Sequence, residues 1–305
     1  MQWGDKRYNS LNYFLRQKFK EKVFKVSLDA GFTCPNRDGK ISTGGCIFCS
    51  QRGSGDFTSN NESLVKQFYE GIELVKRKWK CEKYIAYFQA FTNTYGAVTE
   101  LREKYYSVLK IQDVCGIAIA TRPDCLDDEV LELLHEISKT TFLWVELGFQ
   151  TSKPETVSLI NRGYENDIYL KATENLRLRG IHVVTHVIFG LPGECKEDML
   201  NTIEFVKNTC WGIKFQLLHL IQGTQMMDLY NNGQLKFLEQ EEYTETVIDA
   251  IEILPEDMVI HRLTGDGPQK LLVGPLWSTD KIKVLNKLNS RFTERNTWQG
   301  KYYKE

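Results

Sequence analysis

Cys34, Cys46 and Cys49 sit on one glycine-rich loop, CPNRDGKISTGGCIFC, with a wide gap between the first two and a two-residue gap before the third. Three thiolates on one loop can hold three irons of a 4Fe-4S cubane and leave the fourth iron without a protein ligand. Gly44 and Gly45 suit such a loop, because glycine lets backbone amides approach the cluster sulfurs. A structural zinc site is the alternative, and it usually takes four Cys or His ligands in two close pairs. No second pair stands nearby, and His135, His182, His186, His219 and His261 are all far away in sequence. The remaining cysteines, Cys81, Cys115, Cys125, Cys195 and Cys210, are spread singly and read as small buried apolar residues.

The elements that must position this loop follow a regular alternation. A strand predicted over 23–30 leads into the cysteine loop, and a helix over 63–79 follows. Strands over 84–89, 116–121, 142–147 and 182–189 each precede an amphipathic segment, over 99–109, 127–139, about 167–179 and 196–209, and a sixth strand runs over 213–220. Ser63, Asp127 and Asp167 are the expected N-caps. Continuous apolar runs such as IAIAT and HVVTHVIFG suit a parallel sheet covered by helices. In barrels of this kind the working residues sit where strands end. Beyond residue 223 the pattern changes to an acidic helical stretch (239–254), a strand-like run (258–263), the turn TGDGP and a basic helix from about 279. The expected organisation is a core over 1–223 and an α/β extension over 224–305 that closes one side of the barrel.

Four further motifs fall at predicted strand ends: YFQAFTNTY, TRPDCL, VELGFQT with INRGY after it, and HVIFGLPGE. With the cysteine loop, they resemble the radical S-adenosylmethionine (SAM) superfamily, in the branch shared by the elongator catalytic subunit and the YhcC/YtqA-like (MnmL-type) proteins. The resemblance covers roughly residues 9–223 and implies a partial (β/α)6 TIM-like barrel. It implies that SAM chelates the open iron and is reductively cleaved to a 5'-deoxyadenosyl radical. By motif, Gln150 and Arg162 fall to the ribose and carboxylate of SAM. An amide and a guanidinium suit those groups. His186 and Gly190 belong to the same cofactor set, with Pro192, Gly193 and Glu194 shaping a turn around the adenine. Two departures stand out. FQAFTNTY replaces the usual Gly-Gly-Glu, making Gln89 and Thr92 the candidates for the methionine amino group. Ala120 stands where elongator relatives carry Glu, with Thr121 a partial substitute. Glu146 faces the barrel interior, where a buried carboxylate needs a partner and a cationic cofactor is one candidate. No residue is singled out as catalytic.

The formal net charge of -1 conceals two basic ends. Residues 1–25 and 281–305 each carry seven Lys or Arg against two acidic residues, with an acidic stretch over 239–257 between them. Lys283, Lys287 and Arg291 recur at helical spacing as one stripe, and Lys18, Lys20 and Lys22 are its expected counterpart at the barrel mouth. The N-terminal residues lack the apolar core of a signal peptide and no run is long enough to cross a bilayer, so a cytoplasmic protein is expected. The resemblance implies modification of a wobble uridine of the carboxymethylaminomethyl type in tRNA, with flavodoxin or ferredoxin as electron donor. Phe88, Phe91, Tyr95 and Trp277 are candidates to stack on a splayed base. A small-molecule or protein substrate is the alternative, and a non-catalytic iron–sulfur or zinc protein a third reading.

Overall fold

The structure is a computed structural model that describes residues 1–304 apart from 54, 56, 57, 60 and 78. Position 78, at the end of the helix expected over 63–79, and Glu305 of the basic C-terminal stretch lie outside the described residues. In chain order the elements are α1 (Leu11–Phe19), β1 (Val23–Leu28), α2 (Leu64–Lys76), β2 (Lys83–Phe88), α3 (Val98–Leu109), β3 (Val114–Thr121) and α4 (Asp128–Ser138). Then come β4 (Phe142–Gln150), α5 (Pro154–Leu159), α6 (Asn166–Leu178), β5 (His182–Phe189), α7 (Lys196–Val206) and β6 (Gly212–Leu217). The chain ends with β7 (Leu220–Ile221), α8 (Met226–Asn231), α9 (Gln240–Glu252), β8 (Val259–Arg262), β9 (Leu272–Gly274) and α10 (Lys281–Glu294).

Seven strands form one curled parallel sheet in the order β1-β2-β3-β4-β5-β6-β8, an α/β partial barrel. The seventh strand comes from the run over 258–263, which pairs with β6 only after α9 has intervened. The strand expected over 213–220 divides instead into β6 and the short β7, which pairs antiparallel with β9. Helices cover the outer face, whose core includes Phe68, Tyr105, Leu134, Tyr169, Ile203 and Val247. Ser63 and Asp127 cap α2 and α4 by accepting from Lys66 N and Val130 N. Asp167 is not a cap: Glu165 holds that position on α6, and Asp167 lies in the first turn, where its charge complements the helix dipole.

α1 fills the gap between the two edges of the sheet. Ile260 N donates to Asn9 O, and Leu11 and Leu15 pack inside the barrel on Val23, Ile85, Trp144 and Val259. This disposition corrects the expected basic face. Lys18 lies 4.5 Å over the ring of Phe142, the first residue of β4, and Lys22 lies over Trp79, so these cations are at the strand-start end, opposite the cysteine loop. At the other end of the chain, α10 packs on the acidic α9. Lys287 and Arg291 pair with Glu241, Arg291 also with Glu245, and Arg295 with Glu245, Asp249 and Glu252. Two of the three stripe cations, Lys287 and Arg291, are therefore neutralised by the acidic stretch across a helix–helix contact, while Lys283 is exposed.

Candidate active site

The inward-facing residues of the sheet and the loops at the strand ends enclose a cavity of about 740 Å³. Cys34, Cys46 and Cys49 lie on its rim, half-buried and not disulfide-bonded. Burial, and then the neighbouring Cys49, push the Cys46 thiol up to about 12, and Cys34 adds to this, so both other thiols sit within electrostatic reach of Cys46. Iron coordination reverses this cost, because a ligating thiol gives up its proton to the metal. None of the five histidines joins this loop. His135 bonds Arg179 O, His182 stacks on Trp211, His186 and His219 bond Glu146 and Ser278, and His261 packs between Trp144 and Trp211. Among the described residues no three His, Cys, Asp or Glu side chains are gathered around a point that one metal ion would fill.

The INRGY segment braces the cysteine loop. Asn36 Nδ2 donates to Asn161 O at 2.6 Å, Asn161 Nδ2 donates to Gly45 O at 2.8 Å, and Ile47 N donates to Ile160 O at 3.1 Å. Gly163 takes a φ of +78°, and a Cβ there would stand 2.9 Å from Asn36 Oδ1, so only glycine lets the two loops approach this closely. Arg37 Nη2 donates to Cys49 O at 3.1 Å and holds the end of the loop.

Arg162 lines the cavity, yet its guanidinium is already engaged. Nε donates to Tyr164 O, Nη1 to Phe149 O and Thr151 O, and Nη2 to Asn166 Oδ1, all within 3.0 Å, and the side chain is 1% exposed. This replaces the expected fork on the SAM carboxylate: Arg162 locks the end of β4 to the start of α6. Arg162→Ala is therefore expected to leave the carbonyls of Thr151 and Tyr164 and the Asn166 amide oxygen without this donor, with Phe149 O keeping only Thr151 N, and to cost about 3 kcal/mol or more of stability. Chemical denaturation checks this. A variant as stable as wild type that merely binds SAM less tightly would restore Arg162 to the cofactor.

Gln150 does face the cavity. A bulge at the end of β4 places it there, with φ +67° and its Oε1 buried without a hydrogen-bond partner, and a Cβ at Gly148 would lie 2.7 Å from its Nε2. A strained residue presenting an orphaned acceptor is characteristic of a ligand contact. Gln89, Thr92, Ala120, Thr121 and His186 also line the cavity. Gly190 does not: with φ +89°, it packs against Leu238, which a Cβ would approach to 3.2 Å. Glu194 is turned away onto Thr151, and burial pushes its carboxyl up to about 7. Of the stacking candidates, Phe91 lines the cavity, Phe88 and Trp277 pack in or against the core, and Tyr95 lies beside Lys40. Cys81 is buried as expected, but Cys195 is exposed at the cap of α7, and Cys115, Cys125 and Cys210 are half-buried.

The cavity floor carries charges that the motifs did not reveal. Glu146, fully buried, accepts from Lys214 Nζ at 2.8 Å, Tyr87 Oη at 2.7 Å and Trp144 Nε1 at 3.0 Å, shares a hydrogen bond with His186 Nε2 at 2.7 Å, and pairs with Lys25 at 3.4 Å. The protein's own Lys214 and Lys25 thus supply the cationic partners that a buried carboxylate needs. Burial alone would raise the Glu146 carboxyl, but Lys214 and Lys25 outweigh it and hold the group well below the usual carboxylate range. Burial brings the Lys214 ammonium down to about 7 and His186 to about 4. Lys25 and Lys214 were legible in principle: each is a lysine at an inward position of an otherwise largely apolar strand, VFKVSL and GIKFQL.

A family model described as the Radical SAM superfamily matches residues 37–206, and one described as the Radical_SAM C-terminal domain matches 210–294. The chain belongs to the radical SAM superfamily. It is 50% identical to YtqA of Bacillus subtilis (strain 168), over 98% of this chain and 94% of that one. A tRNA uridine(34) acetyltransferase of Methanocaldococcus infernus is 28% identical over 52% of this chain and 30% of its own length. The solved structure of archaeal Methanocaldococcus infernus Elp3, with an N-terminal deletion, superposes with a TM-score of 0.68 at 17% identity, over 91% of this chain and 64% of that one, and shares the fold. As a radical SAM enzyme, the chain works with a 4Fe-4S cluster and SAM. The donor set fits that pair: three uncrosslinked thiols face the same cavity as an unpartnered glutamine oxygen. When bound, the cluster supplies the electron that cleaves SAM to a 5'-deoxyadenosyl radical. Among the described residues no helix is long and apolar enough to cross a membrane.

Proposed function

We propose that this radical SAM enzyme modifies a uridine side chain of the carboxymethylaminomethyl type at the wobble position of tRNA, with Cys34, Cys46 and Cys49 as the cluster ligands and a flavodoxin or ferredoxin as electron donor. Gln150, Gln89 and Thr92 hold SAM in this reading, leaving the charged floor to the substrate. The observation that carries it is the likeness, over half the chain, to a tRNA uridine(34) acetyltransferase, together with a cavity whose volume lies toward the upper end of the range for ligand sites, roughly 300–1,000 Å³. The chain's own part is to orient the substrate over the floor and keep water from the reacting carbon. A core over 1–223 with an extension over 224–305 that completes the cavity wall agrees with this division of labour, since His261, Arg262 and Lys281 come from the extension.

The test is mass spectrometry of tRNA nucleosides from cells with and without the gene. Loss of one modified uridine with accumulation of its precursor is expected, and an unchanged nucleoside profile would remove tRNA as the substrate. A small-molecule substrate is the second reading, favoured by the cancellation of charge between α9 and α10.

A further inference from the structure

The floor holds a cation, Arg262, that no carboxylate among the described residues answers with an ion pair. At the junction of β6 and β8 the register slips, so that Ile213 pairs with Ile260 and Lys214 with Arg262. His261 is the extra residue of this bulge. A bulge re-aims the side chains that follow it, and here both His261 and Arg262 line the cavity. Lys214 and Lys25 share Glu146. Arg262 has no such arrangement: its Nε is buried without a hydrogen-bond partner, as are both ring nitrogens of His261. Among the described residues no carboxylate forms an ion pair with its guanidinium. Its charge is felt instead by Tyr87, His186, Lys214 and His219, the groups that surround the middle of the cavity. Asp266, on the nearby turn, is taken by Lys281.

We propose that Arg262, supported by Lys25 and Lys214, is the receptor for a carboxylate carried by the substrate. A half-buried guanidinium whose Nε is buried without a hydrogen-bond partner is matched by a planar anion with two acceptor oxygens, since such a pair forms two parallel hydrogen bonds. Arg262 and Lys25, joined by Lys214 where it is protonated, outnumber the single floor carboxylate of Glu146 and leave room for an added negative charge. The inference rests on the reading of this cavity as the substrate site, and the carboxymethylaminomethyl side chain ends in such a group. It goes further by assigning recognition to one residue of the C-terminal region, outside the cysteine loop and the SAM contacts.

The experiment uses the anaerobically reconstituted holoenzyme and two anticodon stem-loop RNAs, one with 5-carboxymethylaminomethyluridine and one with 5-aminomethyluridine at the wobble position. Wild type is expected to bind the first more tightly by roughly ten- to a hundredfold, the worth of a charge-assisted pair. Arg262→Gln should erase the preference, and Arg262→Lys should keep part of it, while SAM affinity and iron content stay at wild-type values. A preference that survives in Arg262→Gln overturns the proposal, and so does loss of SAM affinity, which would assign the residue to the cofactor's own carboxylate. A second arm needs no variant or RNA: acetate, against chloride at equal ionic strength, should raise the melting temperature of the wild-type holoenzyme. A rise with acetate but no RNA preference keeps the carboxylate site and removes the tRNA reading. A rise with inorganic phosphate but not acetate, or with neither anion and no RNA preference, overturns the proposal.

Discussion

Replacing Cys34, Cys46 or Cys49 by alanine is expected to abolish both the cluster and SAM cleavage, whereas Cys81→Ala keeps both. Each of the three thiols lies on the cavity rim, on a loop braced by Asn36, Asn161 and Arg37, and in the proposed reading each ligates a different iron of one cubane. Two remaining thiolates cannot hold the cluster against solvent and oxygen. Cys81 is buried away from that rim, its thiol donating weakly to Lys22 O and Lys83 O, and alanine there loses only those weak hydrogen bonds and a small contact. Iron and sulfide analysis with chromatographic detection of 5'-deoxyadenosine checks both statements. A single-cysteine variant with a full complement of iron and undiminished 5'-deoxyadenosine would take that cysteine out of the site.

Glu146→Gln should be the most destabilising single change on the cavity floor. The substitution keeps the volume but removes the charge that holds Lys214, Lys25 and His186 together under Trp144. Removing one member of a buried ion pair strands the other, at a cost of about 3–5 kcal/mol. The sign of the pH dependence follows from the depressed Glu146 carboxyl. Its contribution is complete above the ordinary carboxylate range, roughly pH 4.3, and is lost as the pH falls through the lower folded-state value. The stability gap between wild type and Glu146→Gln should therefore be widest near neutrality and narrow in acid. Urea unfolding at several pH values measures it, and a gap that widens in acid would contradict this assignment of charges.

Much of the fold was legible because it is written in local patterns. The apolar runs and amphipathic periods of β1 to β6 and their helices survive in the structure with ends displaced by a few residues, and the cysteine loop leaves β1 where it was expected. What escaped was non-local. The pairing of β8 with β6 joins residues separated by α9, and no sequence period announces it. The same distance hid the pairing of Lys287 and Arg291 with Glu241 and Glu245, which turns two of the three cations of an apparent polyanion-binding stripe into a helix contact. Arg162 and Gly190 sit in motifs that suggest cofactor contacts, yet the first is spent on backbone carbonyls and the second on Leu238. Arg262 had no motif at all; only a shifted register turns it inward.

The claim on which the rest depends is that three cysteines hold one cluster and leave an iron for SAM. Electron paramagnetic resonance of the reduced, anaerobically reconstituted protein, recorded with and without SAM, tests it most directly. The account predicts about four irons per chain and a spectrum that shifts when SAM is added. A spectrum indifferent to SAM, or a signal that persists after Cys34, Cys46 and Cys49 are all replaced, would contradict it.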